Sequence, residues 1–321
     1  MSKNGLKNIC LTSALLGMVA CGPAGVDQSA KVAPEIQTLE QNIESRYDYT
    51  ANWLNVRLIP SDTANAPNLI LIPGLVSSSK VWDGVIANLA QTHNLHIVDV
   101  SGFAGTPSPK QGSDQVINGL TKNLTMYIKE KNLQNVTLMG HSMGGFTALK
   151  LAHSDAVSLD KIIIVDALPF YPTIFNPAAT TETAAPQADS FRDIIMGSDA
   201  QGFERMQKQS VGRMSKKADA QKDILVWSLA SDRSVMANAV HNLMTDDMRP
   251  HLSDVTTNVH VIYAWDEVMG MPAAQMESFY TSQYSGLPHV ELTRIEDSFH
   301  FIMKDQPEEF LTAVQTALTL K

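Results

Sequence analysis

An α/β fold on a mostly parallel, doubly wound sheet with one helical insertion is predicted for this chain by three observations. Short runs rich in Val, Ile and Leu alternate with longer segments of helical spacing. Most of the runs are largely apolar rather than apolar only at every second residue. The alternation lapses once, between Phe170 and Val259. Unbroken apolar runs fit strands covered on both faces, and strand–helix alternation with right-handed crossovers makes such strands parallel.

In order along the chain, strands are expected at 53–59, 68–72, 95–100, 136–139, 161–165, 259–264 and 290–295. Helices are expected at 80–91, 112–131 and 144–153, where apolar residues recur every three or four positions. The segment from Phe170 to Val259 holds no strand-like run and reads as helices. It carries Met196, Met206, Met214, Met236, Met244 and Met248. Methionine packs adaptably, so these residues fit either the filling of a helical core or the wall of an apolar pocket.

The chain has 321 residues, enough for one large domain with an inserted subdomain. Its apolar fraction of 44 % and charged fraction of 18 % are those of a globular protein. A net charge of -9 argues against nucleic acid and bare anionic lipid as partners. The segment from Met1 to Cys21 differs from the rest. Lys3 and Lys7 precede the apolar run Ile9 to Ala20, too short to span a bilayer but suited to a signal peptide. The run ends in Met18, Val19, Ala20, Cys21, which resembles the bacterial lipoprotein cleavage box. The expectation is cleavage before Cys21, acylation of its thiol, and a lipid-anchored protein of the cell envelope facing the periplasm or exterior; the alternative is a secreted or periplasmic soluble form. Cleavage would also remove Cys10, leaving Cys21 as the only thiol and no intrachain disulfide. Residues 22–45, mixing Pro, Ala, Gln and Glu without a period, read as a tether.

Chemistry concentrates at Gly140-His141-Ser142-Met143-Gly144. A Gly-x-Ser-x-Gly match is weak alone, but here it joins a buried-strand run to a helical run. A serine at such a joint sits on a tight, strained turn, and the glycines remove side chains that would clash. Gly145 adds room where the helix packs back on the strand. The turn presents Ser142 at a helix N-terminus, so the Met143 amide is one candidate oxyanion donor. A second should come from the loop after strand 68–72, Pro73-Gly74-Leu75-Val76, with the Leu75 amide as candidate.

A serine nucleophile needs a base. Of nine histidines, His300 follows the last expected strand and precedes a terminal helix, so its loop can reach the same sheet edge as Ser142. His141 adjoins the serine and is read as structural. The base needs an orienting carboxylate. Asp266 lies just past strand 259–264 and is favoured, because the order serine, acid, histidine then runs through the last loops; Asp166, just past strand 161–165, and Glu267 remain alternatives.

From about Tyr47 onward the chain resembles the α/β-hydrolase family, through Ile72-Pro73-Gly74-Leu75, Asp99-Val100-Ser101-Gly102-Phe103-Ala104-Gly105, the Ser142 pentapeptide with Gly145, and Ser298-Phe299-His300. The resemblance implies Ser142 as nucleophile, His300 as base, a core at 46–169 and 251–321, and a helical cap at 170–250 that shapes substrate choice. Pro73 stands where many members have histidine, and Tyr263-Ala264-Trp265-Asp266 is shorter than the family's usual glycine, two residues, aspartate pattern.

These residues lead to the expectation of a serine hydrolase acting on a small-molecule ester, lactone or related acyl compound through an acyl-enzyme. Carbon-carbon bond hydrolysis on the same residues is one alternative, and a membrane-tethered binding protein without turnover is another. No metal or organic cofactor is required: the chain has no His-Glu-x-x-His, no Cys-x-x-Cys and no Walker-type phosphate loop. Oligomeric state is not legible.

Overall fold

The apolar runs assemble into one eight-stranded sheet. The computed structural model describes residues 46–319; the expected signal peptide, Cys21 and the tether lie outside them. In chain order the strands are β1 (Tyr49–Thr50), β2 (Leu54–Ile59), β3 (Asn68–Ile72), β4 (Asn94–Val100), β5 (Val136–His141), β6 (Lys161–Val165), β7 (Asn258–Ala264) and β8 (Val290–Ile295). The short β1 carries no period, so periodicity gives no strand there. The helices are α1 (Asp83–Leu89), α2 (Val116–Glu130), α3 (Met143–His153), α4 (Thr181–Gly197), α5 (Ala200–Val211), α6 (Ala218–Leu229), α7 (Arg233–Thr245), α8 (Ala273–Gln283), α9 (Ile302–Asp305) and α10 (Pro307–Thr319). The expected helix 80–91 divides into a 3-10 turn, Ser79–Trp82, and α1; the expected helix 112–131 starts only at Val116, after Gly112 turns the chain with φ +69°.

The strand order is β1-β2-β4-β3-β5-β6-β7-β8. β1, β2 and β4 pair antiparallel, and all pairs from β4 to β8 are parallel. Each central strand divides its apolar side chains between two cores. Ile70, Ile72, Leu138, Ile162 and Ile164 join the core that holds Leu120, Leu124, Phe146 and Leu149 of α2 and α3. Leu69, Leu71, Met139, Ile163 and Val165 join the core with Val85, Leu89, Phe310 and Val314 of α1 and α10. Burial on both faces is why these strands read as continuous rather than alternating. The edge strand β8 places Glu291 and Arg294 in a partly exposed run, which blunts an unpaired edge.

The order also locates the site. β3 leads to β4 on one side, and the chain then returns to lay β5 on the other side of β3. Loops leaving the carboxyl ends of β3 and β5 diverge at this switch point and leave a crevice. The insertion between β6 and β7 contributes α4 to α7. Three of its helices begin on side-chain caps: Thr180 and Thr183 form a capping box at α4, Asp199 accepts from the Gly202 amide at α5, and Asp232 accepts from the Ser234 and Val235 amides at α7.

Candidate active site

Ser142 stands between β5 and α3 with φ 52° and ψ -119°, a conformation outside the regions that non-glycine residues ordinarily occupy. Such strain costs about 1–3 kcal/mol and persists only where the surroundings enforce it. They do so through close packing: a Cβ on Gly140 would lie 2.2 Å from the Gly144 carbonyl carbon and oxygen, and one on Gly144 would lie 2.3 Å from the Ile72 carbonyl oxygen. The glycines therefore serve the close approach of β3, β5 and α3. A Cβ on Gly145 would meet Gly140 O at 2.9 Å and Ile164 at 3.0 Å, so the helix seats directly on β5 and β6.

The Ser142 amide donates to Val165 O at 2.8 Å, which ties the turn to the end of β6. Met143 is the first residue of α3, so its amide has no intrahelical acceptor. The β3 loop approaches from the other side, with a Gly74 Cβ position only 3.2 Å from Ser142 Cβ. Val76 in that loop has φ 49°, a strained setting for a β-branched residue. The loop is braced by Asp99, buried at the end of β4, which accepts from Ser79 N at 2.7 Å, Ser79 Oγ at 2.9 Å and Tyr47 Oη at 2.8 Å. Among the described residues, neither the Leu75 nor the Met143 amide donates to a protein acceptor. Both amides are therefore free beside Ser142.

His300 lies in the loop after β8. Its Nδ1 is 2.7 Å from Asp166 Oδ2. Because an ionised carboxylate only accepts, Nδ1 carries the proton and Nε2 is left as an acceptor. Asp166 follows β6 with φ 47°, and its Oδ1 accepts from Ala264 N at 2.9 Å and from Tyr280 Oη at 3.0 Å. Tyr284 Oη donates to Ala167 O at 2.9 Å. Burial, reinforced by the Asp166 charge, holds the Tyr280 hydroxyl well above the ordinary tyrosine range, so it stays a donor.

Asp266, the favoured acid of the sequence reading, does not reach His300. It is 2 % exposed at the end of β7, caps the following 3-10 turn by accepting from Val268 N at 2.9 Å, and pairs with Lys216 of the insertion. Burial alone would raise its carboxyl, but the Lys216 and Val268 hydrogen bonds outweigh burial and leave it below the usual carboxylate range. The correction is thus Asp166 for Asp266. Glu267 is the first residue of the same turn and is exposed, with no bond to His300. Asp266 instead fastens the insertion to the core, together with the buried Asp305, which accepts from Ser215 Oγ, Lys216 N (3.0 Å) and Phe299 N (2.8 Å). Phe301 N also donates to Met214 O at 2.9 Å. The His300 loop is therefore held on both sides by residues 214–216.

His141 is structural in a specific way. It is fully buried, and its Nε2 donates to the His300 carbonyl oxygen at 2.9 Å. Burial, then repulsion from His300, keeps its pKa well below the ordinary imidazole value, so the ring is a neutral strut between the Ser142 turn and the His300 loop.

Ser142, His300 and Asp166 line one cavity of about 420 Å³, with Met143, Phe146, Leu168, Tyr171 and Phe279 among its apolar walls. This is a size that admits a small organic ligand. Among the described residues, no hydrogen bond closes Ser142 Oγ onto His300; such contacts in unliganded sites often tighten on binding. A second recess of about 30 Å³ lies beside the same pair, against Leu75, Val76 and His141. The methionines of the larger wall are Met143, Met269 and Met276. Within the insertion, Met214 and Met236 line only the small recess, Met244 and Met248 fill the core, Met206 packs half-buried against it, and Met196 is exposed. Sequence reasoning missed Asp99, Lys216, Tyr280 and Asp305 as supports; only Asp99 had a signal, standing in the motif Asp99 to Gly105.

A pimeloyl-[acyl-carrier protein] methyl ester esterase of Nitrosomonas europaea is 23 % identical over 257 residues, 78 % of this chain and 95 % of the relative. An enol-lactonase from Burkholderia xenovorans superposes with a TM-score of 0.66 at 19 % identity, over 83 % of this chain and 96 % of that one. An esterase from Exiguobacterium antarcticum does so with a TM-score of 0.68 at 20 % identity, over 83 % and 96 %. The model of the alpha/beta hydrolase fold matches residues 67–307. With the Ser142 turn at the end of β5, the His300 loop after β8 and a family match across most of its length, the chain belongs to the α/β-hydrolase fold family.

Proposed function

We propose that the chain is a serine hydrolase of carboxylic esters in which Ser142, His300 and Asp166 act together. The observation that carries the reading is the convergence of a strained serine, Met143 with its free amide and an Asp-oriented imidazole on one cavity, with Leu75 on the adjoining recess. Ser142 Oγ attacks the ester carbonyl as His300 Nε2 takes its proton. The Met143 and Leu75 amides stabilise the oxyanion, each donor worth about 3–4 kcal/mol of barrier. His300 returns the proton to the leaving alcohol, then activates water to release the acid. Asp166 holds the imidazole in the tautomer that leaves Nε2 basic and stabilises the imidazolium.

The two unequal spaces beside Ser142 support a substrate that is bulky on one side of the scissile carbonyl and small on the other. A recess of about 30 Å³ holds a group about the size of two waters, whereas about 420 Å³ admits a chain or ring. The relatives named as methyl ester esterase and lactonase suit an ester or lactone of this form. Lipid anchorage through Cys21 belongs to the same proposal on sequence grounds alone; palmitate labelling lost in Cys21→Ala is its check.

The test is hydrolysis of two ester series, methyl esters of lengthening acids and esters lengthened on both sides, with Ser142→Ala as control. Turnover of the first series, loss of rate as both sides grow, and abolition in Ser142→Ala are expected. Full activity in Ser142→Ala, or no ester turned over and no labelling of Ser142 by a fluorophosphonate, would sink the proposal.

A further inference from the structure

We propose that His153, His251 and Asp254 form a structural zinc-type site that staples the exit of the insertion to the helix carrying the nucleophile. The three side chains come from two segments far apart in sequence: His153 is the last residue of α3, and His251 and Asp254 lie in the 3-10 turn Arg249–Asp254 that leads into β7. Their potential ligand atoms all lie within 4.8 Å of one another. Donors around a tetrahedral zinc ion, each about 2.0–2.1 Å from the metal, stand about 3.3 Å apart. Closing the remaining gap falls to His251 and Asp254, both of which are exposed.

Two further observations point to a cation rather than to chance proximity. First, the cluster is not satisfied internally. His153 Nδ1 is buried without a hydrogen-bond partner, and the His153 and His251 rings lie with centroids 4.7 Å apart, tilted by 38°. Among the described residues, Asp254 accepts only a 3.5 Å contact from Ser253 Oγ, and neither imidazole bonds to it. A carboxylate and two imidazoles placed together for packing alone would be expected to hydrogen-bond with one another. Second, His153 is the last residue of a helix, and the carboxyl end of a helix favours positive charge.

The donor set of two imidazole nitrogens and one carboxylate oxygen suits zinc or a neighbouring first-row ion rather than calcium or magnesium, with water completing the shell on the exposed side. Its role is structural. His153 and Ser142 stand at opposite ends of α3, separated by its full length of three turns, too far for the ion to touch a reacting group. What the ion joins is the rear of α3 and the segment that returns the chain from the insertion to the sheet. The ligands span positions 153 to 254, so no local spacing motif announces them.

The test is calorimetric titration of ZnCl2 into the EDTA-treated full-length chain, paired with thermal melting with and without ZnCl2. One equivalent bound and a higher Tm with zinc are expected for the wild type. His251→Ala and Asp254→Ala, both at exposed positions that leave the fold intact, should each weaken that binding by at least about tenfold and remove the Tm increase. Ester hydrolysis by the EDTA-treated variants should match that of the EDTA-treated wild type. Absence of zinc binding in the wild type would overturn the proposal, as would binding and a Tm increase that persist in His251→Ala, which would place the ion on another histidine or thiol.

Discussion

Replacing Asp166 by Asn discriminates most sharply between Asp166 and Asp266 as the acid that serves His300. Oδ1 of Asp166 is pinned by two donors, Ala264 N and Tyr280 Oη, so the carbonyl oxygen of an asparagine must remain on that side. Its amide nitrogen then faces His300 Nδ1, 2.7 Å away in the wild type. Two N–H groups cannot point at each other, so the imidazole shifts its proton to Nε2 and loses the lone pair that should accept the serine proton. The same change of tautomer in a serine protease triad lowers kcat about 10⁴-fold, which corresponds to about 5 kcal/mol. Asp166→Asn is therefore expected to lose about 10⁴-fold in kcat with KM nearly unchanged, in steady-state hydrolysis of p-nitrophenyl butyrate. Asp266→Asn removes a pair whose lysine is 38 % exposed and can regain water, so it should cost about 1 kcal/mol of stability or less and leave kcat within about tenfold. A folded Asp166→Asn within tenfold of wild type, or a loss in Asp266→Asn equal to that in Asp166→Asn, would refute the assignment.

The serine turn, the anchor of the insertion and a buried histidine each give a further test. Gly140→Ala, whose new Cβ would meet Gly144 backbone at 2.2 Å, should lose about 3 kcal/mol or more of stability, read as a lowered urea midpoint; a midpoint near wild type would contradict the packing at the turn. Asp305→Ala strips the acceptor from Ser215, Lys216 and Phe299 and should destabilise by about 2–4 kcal/mol while raising KM, since the insertion and the His300 loop lose their common anchor. His96 is 3 % exposed with its pKa lowered by burial to about 4; its Nδ1 accepts from Tyr127 Oη at 2.6 Å and its Nε2 donates to Asn68 Oδ1 at 3.0 Å. Because the unfolded imidazole takes its proton near pH 6.5 and the folded one only near 4, this residue's stabilisation is whole above 6.5. It fades as pH falls toward 4, by about 3 kcal/mol in all. Imidazole resonances of His96 still neutral at pH 5.5 are the check, and a charged ring at that pH would refute it.

Whatever is set by neighbours along the chain could be read before folding was considered. β3 and β6 occupy the expected residues because their apolar runs are bounded by polar and turn residues, and burial on both faces demands such runs. Ser142 was legible because a strand meeting a helix through two glycines has few other ways to turn, and His300 because only the last loop combined a histidine with a strand end. The carboxylate that meets His300 was set by the folded chain. Asp166 and Asp266 both stand just past the ends of adjacent parallel strands, so their local patterns are equivalent. The choice came from partners remote in sequence: Tyr280 and Ala264 N set Asp166 toward His300, while Lys216 from the insertion drew Asp266 away. The methionines followed the same rule, since helical spacing shows that a side chain is buried but not which wall it faces. Periodicity records the environment of a residue along its own element. Pairing between side chains depends on strand order, loop direction and rival partners, which exist only once the chain is folded.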